Sequence, residues 1–127
     1  MTRVHLDTNF LIHALQRGSR EDQLLRAWLA ADVSVGISAM AWAEFLCGPV
    51  EDAQRDLARR LIVTPVPLDV GSAERAAAMF NDTGRRRGSL GDCLIAATTV
   101  NAGAELATRN VADFKRLSDA GLVLADY

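Results

Sequence analysis

Short apolar stretches of strand-like composition alternate with longer helical stretches along this chain. The strand-like stretches are residues 3–6, 33–37, 104–108 and 122–124, with a short extended segment at 64–68. The helical stretches are residues 10–15, 20–31, 39–47, 51–61, 71–86 and 90–101, with a short one after residue 110. Strands that alternate with helices are joined by right-handed crossovers, which makes neighbouring strands parallel. The pattern therefore predicts an α/β fold with a central, mostly parallel sheet.

Polar residues stand where four of these helices would begin. A side-chain oxygen at such a position can accept a hydrogen bond from a free N–H of the first helical turn. The residues predicted to cap helices in this way are Asn9, Ser38, Ser89 and Asn110.

Length and composition limit the classes of protein that the chain can represent. A chain of 127 residues predicts one domain, residues 1–127, and half of the residues are hydrophobic, enough for a full core. The net charge of −2 argues against a passive nucleic-acid coat, although not against an enzyme that contacts nucleic acid locally. No apolar run reaches the ~18 residues of a membrane span, and the amino terminus does not resemble a signal peptide. A cytoplasmic location is expected.

The two cysteines, Cys47 and Cys93, lie in apolar helical contexts and form no C-x-x-C motif. They are predicted to be buried free thiols in a reducing compartment, and a disulfide between them stays open at this stage.

Three acidic residues stand alone in apolar, uncharged stretches. Glu44 is the only charge in residues 33–50, Asp92 is the only charge in residues 88–104, and Asp7 directly follows the first strand. Placing a carboxylate in apolar surroundings costs several kcal/mol unless something compensates the charge. With Asp113 as a fourth candidate, a divalent cation is the simplest common compensation.

The predicted fold would bring these acids together. Ligands of parallel α/β sheets bind beyond the carboxyl ends of the strands. Asp7 lies at such an end, Glu44 lies two turns into the helix after the second strand, Asp92 lies in the first turn of its helix, and Asp113 follows the strand at 104–108. Carboxylates about 4 Å apart repel by ~4 kcal/mol at an effective dielectric constant near 20. Oxygen ligands without histidine or cysteine favour Mg²⁺ or Mn²⁺, and the expected chemistry is in-line hydrolysis of a phosphodiester.

Each acid also has a structural explanation when it is taken alone. Asp7 can be a turn former or helix cap, Asp92 can favour the helix dipole, and Asp113 can be a surface residue. Glu44 has no basic partner within its own helix, and glutamate is seldom buried without one. The combination of the four in this order indicates function more strongly than any single member.

Four segments together give the chain its resemblance to a known family. The segments LDTNFLIHAL, ISAMAWAEFLCG, GSLGDCLIAAT and LATRNVADF resemble those of PIN-domain proteins, and more narrowly VapC-like toxins of VapBC toxin–antitoxin systems. The resemblance implies a three-layer α/β/α sandwich and a ribonuclease that depends on Mg²⁺ or Mn²⁺. It also implies a homodimer that is neutralised by a VapB-like antitoxin, whose tail occupies the acidic groove.

The resemblance assigns roles to single residues. Asp7, Glu44 and Asp92 match the first three acids of the motif. The fourth acid falls either at Asp113, which we prefer, or at the position of Asn110, where an amide would put a second metal ion in doubt. Thr8, Ser38 and Thr108 match small polar positions of such sites. Thr8 could orient Asp7 or a metal-bound water, whereas Ser38 and Thr108 are also explained as a helix cap and a strand end.

Basic residues near these segments are candidates for contact with RNA. Arg85, Arg86 and Arg87 precede the Asp92 helix and form either a solvated face or a local basic lip that holds RNA phosphates. Arg109, just after a strand end, is a candidate for binding phosphate or for pairing with the acids of the site.

The sequence thus predicts a metal-dependent endoribonuclease toxin. The alternative is a catalytically weak PIN-like domain that binds RNA or a protein partner. A phosphorylated receiver domain is a poor match, because it requires a lysine at a strand end and the only lysine here is Lys115. His5 and His13 are predicted to be structural. The RNA target and the identity of the antitoxin are not encoded in any recognisable pattern.

Overall fold

Three short parallel strands form the centre of the fold. The computed structural model describes residues 2–62 and 64–126, so that Met1, Val63 and Tyr127 of the predicted domain lie outside the described residues. The strands are β1 (Arg3–Leu6), β2 (Ser34–Gly36) and β3 (Glu105–Ala107), in the order β2-β1-β3. In the register, His5 lies opposite Gly36 on one side and Leu106 on the other. The predicted α/β class with a parallel sheet is confirmed.

The central position of β1 follows from its sequence. Three consecutive residues, Val4, His5 and Leu6, are buried, as expected for a strand that is covered on both faces. The predicted strand at 122–124 is reduced to a single parallel bridge between Leu106 and Leu124. The segment at 64–68 likewise contributes one parallel bridge, from Val66 to Ser38.

Helices connect and cover the strands. Those within the described residues are α1 (Thr8–Ala14), α2 (Arg20–Ala30), α3 (Ala39–Cys47), α4 (Asp52–Leu61), α5 (Val70–Asp82), α6 (Leu90–Asn101) and α7 (Val111–Lys115), followed by a 3₁₀ turn at Ser118–Ala120. Helix α6 is the most buried of them and packs against α5, α3, α7 and β3. Phe10, Phe45 and Phe114 are among the largest fully buried side chains. No helix in residues 2–62 and 64–126 combines the length and hydrophobicity that a bilayer span requires.

Helix capping differs from the sequence prediction at three positions. Helix α1 begins at Thr8 and is capped by Asp7, whose carboxylate accepts from the Thr8 N–H at 2.8 Å, so the prediction that Asn9 caps it is wrong. Ser89 and Asn110 occupy N-cap positions, but neither side chain makes a capping hydrogen bond within the described residues. The backbones of both residues lie outside the extended region that side-chain capping requires, and the Ser89 hydroxyl donates to the Arg86 carbonyl instead.

The Ser38 cap is confirmed and supports a stability prediction. Its hydroxyl oxygen accepts from the Ala41 N–H at 3.1 Å, and the side chain is buried. Ser38→Ala should lower the free energy of unfolding by ~1 kcal/mol, because it leaves that N–H without its partner. Urea denaturation would measure the loss, and Ser38→Gly should cost only a few tenths of a kcal/mol. Equal stability of the wild type and Ser38→Ala would contradict the role of the cap.

The cysteines have different environments. Both are free, and Cys93 is buried in α6 as predicted. Cys47 is exposed, so its predicted burial is wrong. Helix α3 buries Ala41 and Phe45, and Cys47 lies two residues beyond Phe45, about 200° around the helix and therefore on the opposite side.

Helix α5 ends four residues before the predicted position. The helix stops at Asp82, and the Thr83 hydroxyl donates to the Met79 carbonyl at 2.7 Å. Gly84 and Arg85 then adopt left-handed backbone conformations, with φ of 86° and 55°, which end a right-handed helix. The three consecutive arginines therefore lie in a loop before α6.

Candidate metal centre

Asp7 is held at the point where two strands end. Its side chain is 5% exposed. One carboxylate oxygen accepts from the Thr8 N–H and the other accepts from the Thr108 hydroxyl, both at 2.8 Å. The backbone N–H of Asp7 donates to the Ala107 carbonyl at 2.9 Å. Asp7 is thus fixed to the carboxyl ends of both β1 and β3.

Glu44 extends from α3 towards α1. The Thr8 hydroxyl lies 3.4 Å from Glu44 Oε1 and 3.0 Å from the Ala41 carbonyl. Glu44 is exposed, although its neighbours in sequence are apolar. Ala41 and Phe45 are the buried residues of α3, and Glu44 lies beside them at the edge of the covered face, where it reaches solvent. Apolar neighbours in sequence therefore did not indicate burial of this carboxylate.

Asp92 and Asp113 line a common cleft. Asp92 lies in the first turn of α6, and Asp113 lies in the first turn of α7. The cleft has a volume of about 120 Å³, and Arg86 and Arg116 also line it. The Arg86 Nη1 atom lies 3.9 Å from Asp113 Oδ1. Asn110 is exposed and uses its N–H to donate to Thr108, so Asp113 is the residue of this pair that faces Asp92.

The acids influence each other electrostatically. Burial raises the pKa of Asp7, and hydrogen bonds from Thr108 and Thr8 partly oppose this rise. Partial desolvation of its carboxylate, and then the charges of Asp7 and Asp92, raise the pKa of Glu44. Burial, and then the charges of Asp7 and Asp113, raise the pKa of Asp92. Four acids from separate elements therefore share one region at the carboxyl ends of the strands.

The donor set suits a hard cation. Within residues 2–62 and 64–126, no three acidic, histidine or cysteine side chains lie close enough to hold one ion directly. Mg²⁺ retains several waters and is commonly bound through one or two carboxylates, so it does not need such a cage. Carboxylate, hydroxyl and water oxygens are its preferred ligands. Asp7, Glu44 and Asp92 fit an ion that is bound partly through water.

The predicted basic residues have different surroundings. Arg85 lies over the ring of Phe80 and hydrogen-bonds to Asn81. Arg86 and Arg87 line the cleft with Asp92 and Asp113. Arg109 contacts the ring of His13, and its Nε lies 3.8 Å from Glu21 Oε2. Glu21 is a partner that the sequence did not indicate.

Two contributors to the site were missed or undervalued in the sequence. Thr108 links the site to β3, because its hydroxyl donates to Asp7 and accepts from the Asn110 N–H. The sequence pattern did not indicate Arg116, which lies three residues after Asp113 and so on the same face of α7. Its Nε donates to the Asp113 carbonyl at 2.9 Å, and its Nη1 donates to the Thr83 hydroxyl at 3.2 Å.

The histidines take no part in this group of acids. His5 is buried in β1, and burial, followed by the charge of Arg3, lowers its pKa to about 4, so it is neutral at neutral pH. His13 Nδ1 lies 2.8 Å from the Asn9 carbonyl oxygen, which accepts a hydrogen bond when the ring carries its hydrogen on Nδ1.

The raised pKa values predict how pH affects stability. A carboxyl whose pKa is higher in the folded state binds more protons folded than unfolded, so its contribution to stability falls as pH rises from about 4 through the raised value. Without divalent ions, Asp92→Asn should therefore raise the melting temperature at pH 7, with a gain that shrinks towards pH 4. Scanning calorimetry in EDTA would measure this. With added Mg²⁺ or Mn²⁺ at pH 7, the wild type should instead melt at a higher temperature than Asp92→Asn, because a cation stabilises the ionised carboxylate. An unchanged order would contradict metal binding at Asp92.

Comparisons with known proteins identify the family. The sequence profile of the PIN domain matches residues 4–120. A toxin–antitoxin complex from Klebsiella pneumoniae contains a chain that is 31% identical, with a TM-score of 0.68, covering 87% of this chain and 89% of that one. No curated protein matches the sequence.

Two further solved structures share the fold at lower identity. A chain of VapBC2 from Rickettsia felis, bound to a DNA fragment from its promoter, has a TM-score of 0.78 at 19% identity and covers 99% of both chains. A chain of DNA-bound VapBC from Salmonella typhimurium has a TM-score of 0.77 at 18% identity, covering 99% of this chain and 98% of that one. With its parallel sheet, its acids at the strand ends and a profile match over nearly its whole length, the chain belongs to the PIN domain family.

Proposed function

We propose that this protein is a divalent-metal-dependent endoribonuclease and the toxin of a type II toxin–antitoxin pair, with residues 1–127 as one PIN-like domain. One observation carries the proposal. Asp7, Glu44 and Asp92 come from three different elements at the carboxyl ends of the strands, and the charge of Asp7 raises the pKa of both Glu44 and Asp92. Such mutual repulsion between acids at a ligand-binding edge is what a cation would relieve.

In this proposal Asp7 and Asp92 are the principal ligands of Mg²⁺ or Mn²⁺, assisted by Glu44 and Asp113. When bound, such an ion lowers the pKa of a water molecule and binds a phosphate oxygen. Asp113 completes a second ion site or positions water. Titration of the protein with Mg²⁺ or Mn²⁺ would give the number of ions that it binds.

In this proposal, side chains of the protein orient Asp7 and accept a proton from the attacking water. The Thr8 N–H and the Thr108 hydroxyl hold Asp7 in one orientation. Glu44 is exposed and has a raised pKa, which suits a group that takes a proton from the attacking water. Thr8 lies between Asp7 and Glu44 and could orient either of them. Arg86 and Arg87, which line the cleft, are the proposed contacts to RNA beside the acids, and Arg109 is a proposed contact elsewhere on the strand. Arg85 is turned onto Phe80 and Asn81 and is not proposed as a contact.

The proposed partners follow from the related complexes. Solved structures with the same fold are VapBC or toxin–antitoxin complexes, which supports a VapB-like antitoxin as the partner of this chain. A homodimer is proposed as the state of the toxin. Copurification with the product of an adjacent small open reading frame, together with light scattering, would test both.

Cleavage of RNA by the purified protein is the direct test. We expect strand scission in Mg²⁺ or Mn²⁺ and none in EDTA, with growth arrest on expression in cells. Sequencing the ends of the products would identify the target. Scission that is equally fast in EDTA would overturn metal dependence.

The second candidate is a PIN-like domain that binds RNA or a protein without cutting. It is favoured by one observation, that no three ligating side chains within the described residues lie close enough to hold an ion directly. RNA binding without scission in either metal would support it against the first candidate.

A further inference from the structure

A small charged cleft lies beside the proposed catalytic acids. Seven residues line it: Arg86, Arg87, Gly88, Ser89, Asp92, Asp113 and Arg116. Its volume of about 120 Å³ is small and suits a compact polar group. Three guanidinium groups face two carboxylates there, so the cleft carries a net positive charge on a chain whose total charge is −2.

The protein itself holds Arg116 in place. The Nε and Nη1 atoms of Arg116 donate to the Asp113 carbonyl and to the Thr83 hydroxyl. The first bond is local to α7, the second connects α7 to the end of α5, and Arg116 is half-buried. Arg116 lines the cleft, and its Nη2 group makes no hydrogen bond within the described residues. A guanidinium fixed in this way has already lost most of its side-chain freedom before a ligand binds.

The side chains of Arg86 and Arg87 are also available to bind an anion. Arg86 lies 3.9 Å from Asp113, a long and exposed ion pair that contributes little to stability. Arg87 is exposed, and its side chain has no ion pair or hydrogen bond in the part of the chain that the structure describes. Arg85, by contrast, is turned back onto Phe80 and Asn81. The run of three arginines is therefore divided, with only two of them at the cleft.

We propose that Arg116, Arg86 and Arg87 form a subsite for one phosphodiester group of the RNA strand, next to the bond that is cut. Guanidinium groups match phosphate oxygens in geometry and charge. Asp92 and Asp113 share the cleft, so a phosphate seated there places the neighbouring phosphodiester beside the acids. Arg116 and Arg87 thus position the substrate, whereas Arg85 and Arg109 do not contact it here. This subsite rests on the proposed ribonuclease function.

The test compares two variants of the same loop with identical net charge. A fluorescent single-stranded RNA oligonucleotide is bound in EDTA, where no scission is expected, over a range of salt concentrations. Arg87→Gln should bind more weakly and lower the slope of log K against log [salt] by ~0.7, the value for one phosphate contact to a single strand. Arg85→Gln should keep the slope of the wild type. An oligonucleotide of the same sequence with an uncharged backbone should bind both variants equally.

Cleavage kinetics provide the second arm. In Mg²⁺, Arg87→Gln should raise KM and leave kcat unchanged, because it removes binding rather than chemistry. Arg116→Lys retains the charge but not the planar fork and should also raise KM. Equal slopes and equal KM values for Arg87→Gln and Arg85→Gln would overturn the subsite while leaving the nuclease intact. If the wild-type protein did not cleave RNA, the proposed ribonuclease function would be overturned. The binding measurements in EDTA would still show whether the phosphate subsite exists.

Discussion

Asp92→Asn should reduce metal-dependent RNA cleavage by at least ~100-fold, and Asp7→Asn should do the same. Loss of a positioned acid–base group alone costs 10²–10⁴-fold, and these two carboxylates are also the proposed principal metal ligands. The fold should persist, because asparagine has nearly the size of aspartate and removes a negative charge that burial destabilises. Initial rates on purified RNA and relief of growth arrest would measure the effect.

The control for Asp92→Asn is Asp52→Asn. Asp52 also lies in the first turn of a helix, α4, is exposed, and is not among the charges that shift the pKa of Asp7, Glu44 or Asp92. Both substitutions remove the same charge and the same favourable interaction with a helix dipole. If Asp92 served only the dipole, the two variants would behave alike. Cleavage at the wild-type rate by Asp92→Asn in Mg²⁺ would end the assignment.

The parts of the site that could be predicted follow from strand polarity. Parallel strands end at one edge, so a residue directly after β1 and a residue soon after β3 had to meet. Asp7 and Thr108 do meet, at 2.8 Å. Asp92 and Asp113 were placed near that edge for the same reason, and they share a cleft. The placement of Asp7, Asp92 and Asp113 at this edge needed only the order of the elements, whereas the bond from Thr108 to Asp7 was not predicted.

The errors concern features that tertiary contacts decide. Apolar sequence around Glu44 and Cys47 suggested burial, but a helix of nine residues buries only one face, and both residues are exposed. Asp7 rather than Asn9 caps α1, because one of its carboxylate oxygens accepts from the Thr8 N–H while the other accepts from the Thr108 hydroxyl. A local pattern does not reveal which face of an element is covered, or whether one side chain serves two purposes.

Arg116 shows why the basic residues were the least predictable. Three adjacent arginines drew attention to 85–87, yet adjacent residues in a loop point in different directions, and Arg85 packs on Phe80. Arg116 stands in an ordinary helical segment and becomes part of the cleft only because Thr83, 33 residues earlier, accepts its hydrogen bond. Contacts over such a separation require the packing of α5 against the other helices, which no sequence window contains.

Thr108→Val should lower metal affinity or cleavage activity by roughly 10–100-fold, the usual cost of losing a hydrogen bond that orients a metal ligand. Valine has nearly the shape of threonine, so the change removes the hydroxyl that donates to Asp7 without opening a cavity. The Asn110 N–H loses its acceptor, but Asn110 is exposed and its N–H can bind water instead. Thr108→Ser retains the hydroxyl and should recover most of the activity.

The pH dependence distinguishes an electrostatic role of Thr108 from a merely structural one. The Thr108 hydrogen bond lowers the pKa of Asp7 against the effect of burial, so its loss should raise that pKa further. Protons would then compete with the metal ion up to a higher pH. The acidic limb of the cleavage profile should therefore move to higher pH in Thr108→Val and return in Thr108→Ser. A general loss of packing would lower the rate at every pH and leave the limb in place, which would refute the proposed link between Thr108 and the charge of Asp7.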